Sequence, residues 1–299
     1  MTASTRAESG QLYAPVRRSG AGDVEVVLGE NHPGFSDPAY RERRNAIATL
    51  SIDWTPADQI PAVDYADVEH DVWRTVCQEL RPLHERHASR AFLEAKEELG
   101  LPTDHVPQLD EVSDRLAPLT GFRYLPVAGL APLREFYGSF SGSTFFSTQY
   151  VRHHSLPLYT PEPDILHEVV GHANQLAVPA FADLYRLVGE AVARTSSPAA
   201  LKFLSQVFWF TMEFGVVMEG GEPKAYGAGI LSSFGETEAY RRAEIRPLDF
   251  GDMGTLAYDI TRYQPVLFAA GSTTELVEEL RSFFSTFDDD AHARLTARK

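Results

Sequence analysis

The 299-residue sequence is 43% apolar and carries a formal charge of −15, enough apolar side chain for a substantial core and the wrong sign of charge for a nucleic-acid partner. Its single cysteine, Cys77, excludes an intramolecular disulfide framework and a multi-cysteine zinc site, and fits a reducing cytoplasm. No stretch approaches the about 18 consecutive apolar residues of a membrane helix, and the polar start, Met1 to Gly20, carries no signal-peptide run.

Residues 1–30 are rich in Ser, Thr, Gly and Arg without periodicity and read as a flexible arm, followed by a single domain over 31–299. Asp37 and Pro38 open a helix as N-cap and first residue. Val68, Val72, Val76, Leu80 and Leu83 form one face of an amphipathic helix that Pro82 is expected to kink or end. Phe92, Ala95, Lys96 and Leu99 predict another, stopped by Gly100. Gln108 to Leu116 reads as a short helix, and Gly121 to Leu130 as extended or looped. Helices are expected over 163–178, 180–194 and 198–219, separated by Pro179 and Pro198. Lys224 to Glu236, with three glycines, reads as loop or short strand, and Leu276 to Phe284 as a last helix before the acidic Asp288-Asp289-Asp290. The fold class is mainly α with a few short strands.

Two features carry chemistry. His167 and His172 sit five apart in an apolar helical stretch, and Glu213 stands alone among Phe208, Trp209, Phe210, Met212 and Phe214. Burying two imidazoles and a carboxylate there without partners would be costly, and one metal ion satisfies all three. Two imidazoles and one carboxylate suit a mononuclear redox-active iron with open coordination positions. An ideal helix turns about 100° per residue, which sets residues five apart on different faces. Gly171 offers a place for a wider turn. The His-Glu-x-x-His spacing of zinc proteases is not met, but a zinc hydrolase with Glu168 as base remains the rival chemistry.

Five blocks, in order, resemble the aromatic amino acid hydroxylases, the pterin-dependent non-haem iron enzymes. They are TGFRYLPVAGL (Thr120 to Leu130), STQYVRH (Ser147 to His153), YTPEPDILHEVVGH (Tyr159 to His172), FWFTMEFG (Phe208 to Gly215) and KAYGAGILSSFGE (Lys224 to Glu236). A weaker block runs from Asp37 to Arg44, and the likeness covers roughly residues 30 to 285. It implies a mostly helical catalytic domain with a deep basin and little sheet. It also implies iron(II) on His167, His172 and Glu213, a tetrahydropterin, and dioxygen as cosubstrate. The pterin strip corresponds to Val127, Gly129, Ala131, Leu133 and Phe136, with Glu168 nearby and Phe208 on the same side.

On the substrate side, Arg152 matches the guanidinium that takes the amino acid carboxylate, with Asp164 orienting it. Thr160 and Ser232 match polar contacts, Trp209, Phe214 and Pro163 would wall the ring, and Tyr226 matches a tyrosine near the iron. Trp209 favours a one-ring substrate and Ile260 favours phenylalanine, so the resemblance implies phenylalanine 4-hydroxylation to tyrosine. Phe208 and Phe146 stand where the family pattern has Tyr and His, which keeps 3-hydroxylation to meta-tyrosine as the close alternative, with tryptophan hydroxylation behind it. The likeness is to the short bacterial form, without an N-terminal regulatory domain or a long C-terminal heptad helix, so a monomer or weak dimer is expected.

Overall fold

The computed structural model describes residues 14–18, 22–260 and 262–297. Residues 1–13 and 19–21 of the expected arm lie outside the described residues. The described part of that arm is paired: Val16–Arg18 (β1) runs antiparallel to Val24–Val26 (β2). Alternation places Val24 and Val26 inward, where with Leu28 and Ala48 they close a small apolar cluster.

Asp37 caps α1 (Pro38–Asp53), its Oδ1 accepting from the amides of Ala39 and Tyr40 at 2.9 and 3.1 Å. The apolar face over 68–83 belongs to α2 (Asp67–His87), buried at Val72, Val76, Leu80 and Leu83, although Val68 is exposed. Pro82 does not end this helix. Pro82 and Gln78, whose carbonyl loses its helical partner, are both exposed, so the missing bond is left on the solvated face of the helix. The next helix, α3 (Arg90–Leu99), stops at Gly100 in the left-handed region at φ 57°. Then come α4 (Leu109–Thr120), β3 (Arg123–Pro126), α5 (Leu133–Ser139) and β4 (Thr144–Ser147), with β3 and β4 parallel.

The stretch read as one helix over 163–178 is a π-helix, His167–Ala173, followed by a single α-turn, α6 (Asn174–Leu176). Pro179 opens α7 (Pro179–Arg194), whose Phe181, Leu184, Tyr185, Val188 and Val192 face the core. Pro198 opens α8 (Pro198–Phe208), which passes into a second π-helix, Trp209–Glu213. The helix expected to reach 219 ends there, because the β-branched Val216 and Val217 begin β5 (Val216–Glu219). After β6 (Glu222–Ala225), the segment read as loop or strand contains two short helices, α9 (Ala228–Leu231) and α10 (Phe234–Ala239). The chain continues through β7 (Glu244–Pro247), α11 (Phe250–Met253), β8 (Val266–Ala270) and α12 (Thr273–Thr286). The helix over Leu276 to Phe284 is not the last, since Asp288 in the acidic run caps a further helix, α13 (Asp289–Thr296), by accepting from the Ala291 amide at 2.7 Å. Acidic groups at a helix N-terminus are favoured by its dipole.

One mixed sheet, ordered β6-β5-β8-β7, closes one side of the helical body; β5 pairs antiparallel with β6 and parallel with β8, which pairs parallel with β7. One apolar core runs from Ile47 to Phe287. The mainly α class with few short strands is borne out. Among the described residues no helix is long and apolar enough to cross a membrane.

The core also holds His84. Its Nε2–H donates to the Leu231 carbonyl at 2.6 Å and its Nδ1 accepts from Lys96 Nζ at 2.8 Å, a pattern only the neutral ring can make. Burial, then the Lys96 charge, pulls its pKa from 6.5 down to about 3. Between those values the unfolded chain binds the extra proton, so this contribution to stability is full above pH 6.5 and is lost as pH falls toward 3. The slope is roughly 1.4 kcal/mol per pH unit. In His84→Gln, urea unfolding at a series of mildly acidic pH values should show a flatter acid limb than wild type. Parallel limbs would clear His84 of this role.

Candidate active site

The two π-helices place the donor atoms. Hydrogen bonds that span five residues instead of four bring residues five apart onto one face, which resolves the mismatch between the His167–His172 spacing and an ideal helix. The second π-helix is closed by the Phe214 amide donating to the Trp209 carbonyl at 2.8 Å, and it turns Glu213 toward the histidines. His167 and His172 approach Nε2 to Nε2 at 3.2 Å with their rings perpendicular. Glu213 reaches His172 Nε2 at 3.1 Å through Oε1 and His167 Nε2 at 3.8 Å through Oε2. Gly171 lies inside this wider turn, as expected, and it has a packing role as well: a Cβ there would lie 2.7 Å from the Ala228 carbonyl, so glycine lets α9 press against the histidine segment.

Each imidazole is held from behind. His167 Nδ1 lies 2.8 Å from Ser232 Oγ, and His172 Nδ1 lies 2.7 Å from the Tyr185 hydroxyl. Burial draws the His167 pKa down to about 4, keeping it the neutral ring a metal needs. Burial pushes the Glu213 carboxyl up, but the charge and hydrogen bond of His172 outweigh it and leave the group below the usual carboxylate range. Three converging donors, two nitrogens and a carboxylate, fit an iron ion with free positions toward the cavity.

The cavity over these donors is lined on one side by Val127, Gly129, Ala131, Leu133 and Phe136, with Glu168 beside the first histidine. Burial, with the charges of Glu213 and Asp164, pushes the Glu168 carboxyl well up. Arg152, Thr160, Pro163, Trp209, Phe214 and Ser232 line the other side. Three predicted residues stand off the wall. Phe208 is fully buried behind Tyr137, their rings 4.9 Å apart, because it belongs to the core face of α8. Tyr226 is buried against Phe181. Asp164 is buried behind Arg152, as an orienting partner must be: it accepts from Arg152 Nε at 2.9 Å, Nη2 at 2.8 Å and the backbone amide at 2.8 Å. Asp164 takes the Nε edge of the guanidinium and Nη1 also donates to the Pro157 carbonyl at 3.4 Å, so a ligand meets only the remaining Nη hydrogens. Thr160 spends its hydroxyl proton on the Glu162 carbonyl at 2.7 Å and can only accept from a ligand.

The aromatic wall is braced by its neighbours. Trp209 stacks on Tyr258 with centroids 4.2 Å apart, leans on Phe214 at 4.4 Å, and donates Nε1–H to Gln264 at 3.3 Å. Sequence reasoning missed Tyr137 and Glu236, both on the cavity wall, and Tyr185 and Gln175 behind the histidines. Glu236 closes the last family block without being singled out, and burial pushes its carboxyl up to about 7. Tyr137 and Tyr185 read as ordinary core.

Comparison with known proteins agrees with this geometry. Residues 21–296 match the family described as biopterin-dependent aromatic amino acid hydroxylase. The phenylalanine 3-hydroxylase of Streptomyces coeruleorubidus is 50% identical over 264 residues, covering 88% of this chain and 95% of that protein. The phenylalanine-4-hydroxylase of Dictyostelium discoideum is 38% identical over 295 residues, covering 93% of this chain and 67% of that protein. The crystal structure of Chromobacterium violaceum phenylalanine hydroxylase with bound iron(III) and 7,8-dihydrobiopterin superposes with a TM-score of 0.72 at 25% identity, covering 84% of this chain and 91% of that one.

Removing a donor should empty the centre. His172→Ala and Glu213→Ala, loaded with iron(II) and desalted, are expected to retain less than about a tenth of the wild-type iron by elemental analysis. Full retention in either variant would break the three-donor assignment.

Proposed function

The chain belongs to the biopterin-dependent aromatic amino acid hydroxylase family, and from that premise we propose that it hydroxylates the ring of L-phenylalanine at the meta position. It is an iron- and tetrahydropterin-dependent aromatic amino acid monooxygenase with dioxygen as cosubstrate. When bound, iron(II) and the reduced pterin supply the dioxygen chemistry that adds a hydroxyl to the ring.

The chain's own residues do the rest. His167, His172 and Glu213 hold the metal from one side and leave the cavity side open. The strip from Val127 to Phe136 gives the pterin an apolar face and loop backbone to meet its amides. The Nη edge of Arg152 that Asp164 leaves open takes the substrate carboxylate, and Glu236, also lining the cavity, offers a hydrogen-bond acceptor for the ammonium group. Trp209 and Phe214, braced by Tyr258, form a slot for one aromatic ring and exclude water from it.

The observation that carries the meta assignment is the 50% identity, along nearly its full length, with a phenylalanine 3-hydroxylase, against 38% for a 4-hydroxylase. Phe146 on the cavity wall is consistent with it: an apolar ring there changes how a substrate ring tilts in the slot. Para-hydroxylation is the second reading, favoured by the 4-hydroxylase relative. The zinc-hydrolase alternative gains no support from the family match.

Turnover of phenylalanine with iron(II), a reduced pterin and air should give mainly meta-tyrosine by chromatography against ortho, meta and para standards, and nothing without oxygen. Mainly para-tyrosine would restore the 4-hydroxylase reading, and oxygen-independent turnover would overturn both. Arg152→Ala should raise KM for phenylalanine by about tenfold or more while the product pattern stays the same. An unchanged KM would take Arg152 out of carboxylate binding.

A further inference from the structure

We propose that Gln175 and Tyr185 are positioning residues that hold the His172 proton on Nδ1 and thereby commit Nε2 to the metal. This rests on the reading of His167, His172 and Glu213 as metal ligands.

Gln175 is fully buried on α6, directly after the histidine segment. Its Nε2 donates both hydrogens to main-chain carbonyls, Met212 at 2.9 Å and Tyr226 at 2.8 Å. Two carbonyls cannot face the oxygen end of an amide, so the orientation of Gln175 is fixed and Oε1 points the other way as an acceptor. The fully buried Tyr185 hydroxyl donates to that Oε1. A phenol has one proton, and this contact uses it. Its oxygen can then only accept from His172 Nδ1, 2.7 Å away. Nδ1 must carry the hydrogen, so in the neutral ring that a metal requires the lone pair lies on Nε2, the atom that faces Glu213 and His167.

His167 is served differently. Its Nδ1 meets a serine hydroxyl, a rotor that donates or accepts equally well. The tautomer of one ligand is therefore set by the fold, and that of the other is adjustable. The same amide also bonds the carbonyl of Met212, the residue before Glu213, so it ties the carboxylate segment to the histidine segment.

Metal-free protein titrated with Co(II), followed by visible absorption, tests this. Wild type is expected to bind and His172→Ala is not. Failure of wild type to bind would sink the metal-site reading and the relay together. With wild type binding, Tyr185→Phe should weaken Co(II) affinity about 10- to 100-fold. Val192→Ala, a core truncation two turns along the same face of α7, should stay within about twofold. Wild-type affinity in Tyr185→Phe overturns the relay, and so does an equal loss in Val192→Ala. A second measurement needs no variant. In Zn(II)-loaded wild type with 15N-labelled histidine, the His172 ring should show a slowly exchanging proton on Nδ1 with a dipolar contact to the Tyr185 ring. A proton on Nε2 instead, or a freely exchanging Nδ1 proton, refutes the proposal.

Discussion

A carboxylate and two imidazoles sharing one small volume at the bottom of an apolar cavity is the constraint around which this molecule is built. Glu213 and His172 stand 3.1 Å apart in surroundings that disfavour an unpartnered charge. The fold meets that demand in two ways. The donors converge on one point where a metal ion would satisfy all three, and the Nδ1 atom of each imidazole is engaged by a hydroxyl from another element. Both require the backbone to leave the ordinary α-helix at two points. Wide turns recur at functional sites because they re-aim side chains that a regular helix would scatter.

Those wide turns are supported from several directions. Ser232, between α9 and α10, steadies one ring; Tyr185 from α7 steadies the other; and Gln175 joins the two donor segments. Asp164 accepts from the His167 amide at 3.2 Å while gripping Arg152, so the cation on the cavity wall and the start of the donor segment share one anchor. A similar device sits at the rim, where buried Glu162 meets Arg44 at 2.6 Å and that guanidinium lies over the Tyr150 ring.

Much of this was legible in the sequence, for identifiable reasons. Helix starts and stops were read from local chemistry that the structure uses as written: Asp37-Pro38, Gly100, Pro179 and Pro198. The donor trio was legible because polar residues in apolar runs need a partner. The errors fall where tertiary contacts overrule local preference. Pro82 sits on a solvated face that tolerates it, and Val216 and Val217 leave the helical pattern for a sheet whose partner strand, β8, lies far along the chain. Tyr185 and Gln175 were invisible for another reason. Each is an unremarkable member of a buried helical face until the fold places it behind a histidine about three turns away or nearer in sequence.

The amino-terminal strands bear on the cavity as well. A Cβ on Gly129, in the middle of the strip offered to the pterin, would come within 3.0 Å of the Val16 methyl group, and Ala128 joins the cluster that Val24, Val26 and Leu28 form over α1. The loop proposed to meet the cofactor is therefore backed by a segment remote from it in the chain. A protein trimmed to begin at Asp37 would retain all three metal donors and the aromatic slot, yet its cofactor loop would lose its outer lining and spread over more conformations. Weak cofactor retention in such a trimmed form would then reflect the lost backing, with the donor trio itself intact.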